Sequence, residues 1–219
     1  MRFAERWISC TVHAIRDVAP AIREFVLRPA GPSVENYAPG SHINVGVFVD
    51  GRPETRCYSL VGDFGPEGYR IAVRRAPDSR GGSLYMWSLQ PGARVEISTP
   101  TSLFEIDWTR RSYCLIAGGI GITPILGIAG MLNRRNAAME LHYAVTSRRD
   151  AAFLDDRKRS SLGHMADGGM RKPSASRRLD QRCQVRLHKS RLLVSNSGER
   201  QEQPLTSGHP VERKVLARE

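Results

Sequence analysis

The chain has 219 residues, of which 40% are hydrophobic and 25% are charged, a composition typical of one large or two small soluble globular domains. No stretch approaches the roughly 18 consecutive apolar residues of a membrane span, and the first nine residues lack the apolar core of a secretory signal, so we expect a cytoplasmic protein. The cysteines (Cys10, Cys57, Cys114 and Cys183) are too scattered for a CxxC metal site or a disulfide framework, and the histidines form no ligand-spaced pair.

Short stretches in the first hundred residues have the character of β-strands. They are residues 7–18, 22–28, 41–49, 55–61, 69–74 and 94–99, with turn-forming Gly and Pro between several of them. In the third stretch, Ile43, Val45, Val47 and Val49 fall on one face. Six strands at this spacing predict a closed antiparallel barrel, with a short helix over residues 83–89 between the fifth and sixth strands.

Beyond residue 105 the pattern changes to that of a parallel α/β unit. A strand over 113–117, a helix over 124–134, a strand over 139–147 and a helix beginning near Asp150 form a βαβα run. We therefore predict three regions. These are a β-barrel domain at 1–108, a partial α/β domain at 109–156 and a basic tail at 157–219.

The turn between the first α/β strand and its helix carries a glycine motif. Residues 118–124 have the sequence GGIGITP, which predicts Thr123 as the N-cap and Pro124 as the first helical residue. Gly119-x-Gly121-x-x-Pro124 is close to the dinucleotide fingerprint, with proline where the third glycine usually stands. Glycines here would let a pyrophosphate approach the backbone at the helix N-terminus. A plain βα turn is the alternative interpretation.

Two earlier stretches suit a flat, phosphorylated ligand. Arg56 and Tyr58 share one face of the fourth strand with Leu60, and offer a phosphate clamp and an aromatic platform. Residues 81–83, Gly-Gly-Ser, open the short helix as a second glycine turn of the kind that binds anions. An ordinary barrel strand and a flexible loop are the alternatives.

In this order and spacing, Arg56-x-Tyr58-Ser59-Leu60, Gly81-Gly82-Ser83 and the 118–124 turn resemble the ferredoxin–NAD(P) reductase superfamily. Within it, the chain is similar to the reductase components of phthalate dioxygenase and vanillate O-demethylase. The resemblance covers about residues 7–155. It implies a six-stranded flavin-binding barrel followed by a nicotinamide-binding α/β domain.

The resemblance also implies roles for single residues. Arg56 would pair with the flavin phosphate, Tyr58 would lie against the isoalloxazine, and Ser59 would reach its N5 edge, where hydride transfer occurs. The other flavin contacts that it implies are Leu60, backbone groups of Ala72, Val73 and Arg74, and the phosphate donors Gly81, Gly82 and Ser83. The implied dinucleotide contacts are Gly118, Gly119, Gly121, Ile122, Thr123 (which would also touch the flavin), Pro124, Thr146, Ser147 and Arg148.

The reaction implied by the resemblance is hydride transfer from NADH or NADPH to flavin, followed by release of single electrons to an iron–sulfur protein or oxygenase component. The phthalate dioxygenase reductase branch uses FMN. Arg56 with the 81–83 turn would suffice for one phosphate, but no residue excludes FAD. No metal site is expected.

The resemblance ends near Asp156. No Cys-Gly-Pro motif occurs and no C-x4-C-x2-C run is present, so we expect no 2Fe–2S cluster in this chain. Residues 156–219 have a charge balance of +8, against +3 for residues 1–155, and they contain every lysine and no aromatic residue. We expect a largely disordered tail with an isolated strand over 184–195, and hypothesise a reading-frame change or truncation in the gene.

A parallel sheet of only two strands would have an uncovered edge and lack half of the nicotinamide cleft. We therefore expect flavin binding with weak or absent NADH oxidation, and a flavin-binding module without reductase turnover is the alternative function. The pI of about 10.2 also raises nucleic-acid binding. Because the excess charge lies in a tail without aromatics or a recognition motif, no specific nucleic acid and no membrane partner are expected.

Overall fold

The computed structural model describes residues 6–31, 36–63, 65–102, 104–154, 183–189 and 216–217. The first hundred residues form a six-stranded antiparallel sheet with strand order β4-β3-β6-β1-β2-β5. Its strands are β1 (Trp7–Ala19), β2 (Ile22–Pro29), β3 (His42–Val49), β4 (Arg52–Ser59), β5 (Tyr69–Arg74) and β6 (Arg94–Ser98). A bridge between Leu60 and Ile71 joins the two outer strands. The predicted six-stranded antiparallel architecture is therefore confirmed.

The barrel core follows from the alternation of apolar side chains along the strands. The predicted apolar face of β3 is buried, since Ile43, Val45, Val47 and Val49 are all at most 8% exposed. They pack with Phe25, Leu27, Tyr69, Ile71 and Ile97 from the other strands. Helix α1 (Gly82–Ser88) covers this core and buries Met86 completely. The burial of these side chains is the main source of the barrel's stability.

The second unit begins with the predicted parallel strands. Strands β7 (Ser112–Gly118) and β8 (Ala138–Val145) pair in parallel, and a 3₁₀ turn (Gly119–Gly121) and helix α2 (Ile122–Arg134) connect them. The predicted apolar face of α2 is confirmed, because Ile125, Ile128, Ala129 and Leu132 are buried in the core of this unit. Connections of this kind place the helix on one face of a parallel sheet.

Two predictions about this sheet are wrong. The tail strand that was expected to be isolated corresponds to β9 (Cys183–Lys189). It is not isolated, because all of its residues pair in parallel with β8. The short strand β10 (Leu216–Ala217) pairs with β7 on the other side. The edge of β8 that was expected to be open is therefore covered. Apart from β9 and β10, the residues of the tail lie outside those that the structure describes. The expected disorder and the hypothesised frame change both concern these residues.

The boundaries of two helices also differ from expectation. Helix α2 begins at Ile122, because the 3₁₀ turn runs directly into it and Gly121, the residue before it, already has helical backbone angles. Thr123 and Pro124 are thus the second and third helical residues, and Thr123 is not the N-cap. Near Asp150, the structure has a 3₁₀ turn (Arg148–Asp150) in place of the start of an α-helix. In the described part of the chain, no helix is long and apolar enough to cross a membrane.

Helix α2 packs directly on the barrel. A Cβ added at Gly127 would lie 2.6 Å from the carbonyl oxygen of Gly62, and one added at Gly130 would lie 2.8 Å from the Asp63 carboxylate. Arg134, one turn further on, forms a two-pronged ion pair with Asp63. An apolar cluster that includes Ile22, Ala72 and Ala152 fills the seam beside this contact. The two units therefore meet through close backbone contact and a shared apolar cluster.

A buried carboxylate joins three barrel strands. Glu24 on β2 is 4% exposed, and its oxygens accept hydrogen bonds from Arg16 Nε at 2.9 Å and Arg70 Nε at 2.8 Å. Replacing Glu24 by glutamine should lower the free energy of unfolding by about 1–2 kcal/mol, because the ion pairs with Arg16 and Arg70 are weakened while both arginines can still reach water. Thermal unfolding of Glu24→Gln measures this change. Asp17→Asn, which removes a 64% exposed carboxylate paired with Arg23, is the matched control and should have almost no effect.

Candidate functional site at the barrel wall and the glycine turn

Strand β4 presents the predicted flavin residues on one face. Arg56 and Tyr58 lie directly opposite Val45 and Ile43 of β3, and directly opposite residues project to the same side of a sheet. Tyr58 is half-buried against the barrel core, whereas Leu60 is 1% exposed inside that core. On the other face, Cys57 is exposed and Ser59 is 7% exposed. The predicted alternation is present, but the Leu60 side chain lies within the core.

Burial raises the pKa of Tyr58 to about 12. The nearby Arg56 opposes this shift without cancelling it. The phenol is therefore neutral at physiological pH. It provides an uncharged ring beside a permanently charged guanidinium, a combination that suits a flat ring system carrying a phosphate.

The structure brings Arg56 and the 81–83 turn together, although 24 residues lie between them in the sequence. A Cβ added at Gly82 would clash with Nε of Arg56 and lie 2.9 Å from its Cγ. A Cβ added at Gly81, whose φ is +90°, would lie 2.6 Å from Val49. Glycine is thus needed at both positions for the turn to approach β3 and β4 this closely.

Hydroxyl groups organise the same turn. Ser83 Oγ donates to Ser79 Oγ at 2.8 Å, and Gly81 N–H donates to Ser79 Oγ at 3.2 Å. Ser83 Oγ also accepts from the Ala76 N–H at 3.4 Å. The Ser83 hydroxyl is therefore held by its own loop. Ser79 stands at the start of this turn in the sequence, but the motifs assigned it no role. Its position two residues before Gly81 was the available signal.

The three β5 residues that were predicted to contact the flavin lie in different environments. Ala72 is buried in the apolar cluster at the seam, Val73 is buried in the barrel core, and only Arg74 projects an exposed side chain. The carbonyl of Val73 accepts from Trp87 Nε1 at 3.2 Å. Any ligand contact by Ala72 and Val73 would thus be through backbone atoms, as the resemblance implied.

The glycine turn divides into an open part and a buried part. A Cβ added at Gly118, Gly119 or Gly121 would have no atom within 4 Å, so there is space above all three. By contrast, Ile122, Thr123 and Pro124 are buried in α2. Thr123 Oγ1 donates to the Ile120 carbonyl at 3.0 Å, so its hydroxyl proton is used within the turn. A contact of Thr123 with a flavin stays a prediction.

A cavity of about 180 Å³ connects the two units beside this turn. Its walls are formed by Ala19, Ala21, Ile22 and Arg74 of the barrel and by Gly119, Ile120, Val145, Thr146 and Asp150 of the α/β unit. Arg74 and Thr146, predicted for different ligands, therefore line one space. Ser147 is half-buried and donates to Asp150 Oδ2 at 2.8 Å, while Arg148 is exposed. Neither Ala21 nor Asp150 had a sequence signal, because only the packing of the two units brings them together.

No protein-family model matches the chain. It is 38% identical over 154 residues to the heme-dependent oxidative N-demethylase beta subunit of Ectopseudomonas mendocina (strain ymp), an alignment that covers 69% of this chain and 48% of that protein. It is 39% identical over 145 residues to the vanillate O-demethylase oxidoreductase of Acinetobacter baylyi, covering 65% and 45%. The solved structure of phthalate dioxygenase reductase, described as modular for electron transfer from pyridine nucleotides to [2Fe-2S], matches with a TM-score of 0.62 and 32% identity, and the match covers 68% of this chain and 47% of that chain.

The part of the chain that these alignments cover is ferredoxin reductase-like. Both the sequence relatives and the fold support the resemblance first indicated by the three motifs. The chain spans about half the length of the curated relatives that it matches. The three motifs that indicated the resemblance lie in β4, at the start of α1 and in the glycine turn, and these are the elements that form the candidate site.

Proposed function

We propose that this ferredoxin reductase-like chain is an NAD(P)H-dependent flavin oxidoreductase of the kind that serves an oxygenase or demethylase. The observation that carries the proposal is the contact of Arg56 with Gly82, which brings two separate motifs together around one guanidinium group. The relatives are named as components of demethylase and oxygenase systems, which favours this role.

The residues present fit a flavin. Arg56 supplies a planar cation for a phosphate, and Tyr58 supplies a neutral aromatic surface. The absence of a Cβ at Gly82 admits the Arg56 side chain against the turn. A bound flavin would accept a hydride from NAD(P)H and release electrons singly. We assign Arg56, Gly81, Gly82 and Ser83 to the phosphate, Tyr58 and Ser59 to the ring, and the backbone of Ala72, Val73 and Arg74 to its far side.

We assign the glycine turn to the dinucleotide. Gly118, Gly119 and Gly121 leave open space in which a pyrophosphate can approach the backbone at the start of the thirteen-residue helix α2. Thr146, Ser147 and Arg148 follow β8 at the same edge of the parallel sheet, where ligands of open α/β sheets bind.

FMN is the proposed flavin and NADH the proposed donor, with an iron–sulfur protein or oxygenase component as electron acceptor. One cationic wall is sufficient for one phosphate. The proposed impairment of turnover no longer follows from an open β8 edge, because β9 covers it. The impairment of turnover remains a hypothesis, and its basis is the absence of a Cys-Gly-Pro motif from the sequence.

The test is anaerobic mixing of the purified, FMN-reconstituted protein with NADH or NADPH, with the flavin absorbance followed in time. We expect retained flavin that NADH bleaches faster than NADPH does. Retained flavin without bleaching would support the flavin-binding module, and colourless protein after reconstitution with FMN and FAD would refute both functions.

A conservative variant tests the dinucleotide assignment separately. Gly121 has a φ of −62°, which alanine adopts readily, and a Cβ there meets no protein atom. Gly121→Ala should therefore keep the fold and the flavin but slow bleaching by NADH about tenfold, because the methyl group occupies space needed by the dinucleotide. Gly31→Ala, which also adds a methyl group in open space, is the matched control and should bleach at the unaltered rate.

A further inference from the structure

Glu54 and Arg56 lie two residues apart on β4, and their side chains therefore share one face of the strand. The Glu54 carboxylate accepts from Arg56 Nη2 at 2.6 Å. Arg56 Nη1 donates to the Thr55 carbonyl at 3.0 Å, and Nε lies against Gly82. The Glu54 side chain is 41% exposed and that of Arg56 is 28% exposed, so both members of the pair reach solvent.

We infer that Glu54 is a positioning residue that competes with the flavin phosphate for the Arg56 guanidinium, and thereby limits how tightly the phosphate binds. This inference rests on the proposed flavin site. It concerns a residue outside the three motifs, and it predicts the direction in which a change at Glu54 shifts flavin affinity.

The competition follows from the shape of the guanidinium. The group presents two forks of parallel N–H donors, Nε with Nη2 and Nη1 with Nη2, and phosphates prefer to bind such a fork. Each fork uses a different hydrogen of Nη2, and Glu54 already engages this nitrogen. A phosphate that binds either fork must therefore share Nη2 with the carboxylate or displace the carboxylate from it.

In both cases the carboxylate opposes the phosphate. Sharing places two anions at one cation, and displacement breaks an ion pair that holds Arg56 in the unliganded state. Glutamine retains an oxygen that can accept from Nη2 but removes the negative charge. Because both side chains reach water, the repulsion is partly screened, and we expect Glu54→Gln to tighten FMN binding about three- to tenfold.

The experiment compares the dissociation constants of FMN and riboflavin for the unaltered chain and for Glu54→Gln, by flavin fluorescence titration. Riboflavin lacks the phosphate and should bind both proteins equally. Glu54→Asp keeps the charge and should change FMN affinity less than Glu54→Gln does. Glu105→Gln, an exposed carboxylate before β7, removes the same net charge and should leave both affinities unchanged. The gain in Glu54→Gln should shrink at high salt.

Unchanged or weaker FMN binding in Glu54→Gln would overturn the inference, as would an equal gain for riboflavin. Weaker binding restored in Glu54→Asp would show that Glu54 only orients Arg56. Failure of the unaltered chain to bind either flavin would refute the proposed function itself, which is a different result from FMN binding that is insensitive to Glu54.

Discussion

Replacing Arg56 by alanine is expected to weaken FMN binding about 10- to 100-fold, because hydrogen bonds from a charged donor contribute roughly 1.5–3 kcal/mol. Riboflavin binding should change far less, since the ring contacts at Tyr58 are retained. Fluorescence titration of both flavins measures the difference. The phosphate-specific part of the loss is the quantity that tests the site.

Two further variants separate charge from geometry at Arg56. Arg56→Lys keeps the charge but not the fork, and should lie between the unaltered protein and Arg56→Ala. Gly82→Ala keeps Arg56 but places a methyl group where the arginine stem lies, and should also weaken FMN selectively. Arg52→Ala, an exposed arginine on the same strand face, is the matched control.

Two results of these titrations would contradict the assignment of Arg56 to the flavin phosphate. Equal losses for FMN and riboflavin would mean that Arg56 supports the barrel wall without binding the phosphate. No loss for either flavin would mean that the phosphate lies elsewhere. The next candidates for the phosphate site would then be three exposed arginines at and after the end of β5, namely Arg74, Arg75 and Arg80.

Local patterns in the sequence were sufficient where each structural feature depends on neighbouring residues. The alternation of Ile43, Val45 and Val47 predicted the inner face of β3, and the spacing of Ile125 and Leu132 predicted the buried face of α2. The period of a strand or helix is fixed by its backbone, so such patterns translate directly into burial. The motif around Arg56 could be found for the same reason.

The sequence was insufficient where a feature depends on contacts between distant elements. The cavity between the units needs Ala21 from the β1–β2 turn and Asp150 from the end of the second unit, and neither belongs to a motif. The pairing of β9 with β8 depends on which strand edge is available, which periodicity does not reveal. The Glu54–Arg56 pair was not predicted, because Glu54 lies just before the strand predicted over 55–61 and alternation does not reveal which side chains touch.

Among the contacts between the two units, the one at Gly127 brings the helix against a backbone atom, so we expect α2 to be sensitive to substitution there. Replacement of Gly127 by leucine should lower the free energy of unfolding by about 3 kcal/mol, because no side chain fits between α2 and the Gly62 carbonyl. Gly127→Ala should have a smaller effect, since its clash is partly offset by the roughly 1 kcal/mol helix propensity of alanine over glycine. Thermal and denaturant unfolding measure both changes.

The matched control for this contact is Gly130→Ala, one turn along the same helix. The nearest atoms there belong to the flexible Asp63 side chain, which can move aside, so this change should be nearly neutral or slightly stabilising. If Gly127→Leu were as stable as the unaltered protein, α2 would not be held against the barrel in solution. If instead its stability falls but flavin binding persists while bleaching by NADH is lost, the barrel must hold flavin alone and the seam must serve to bring the dinucleotide to it.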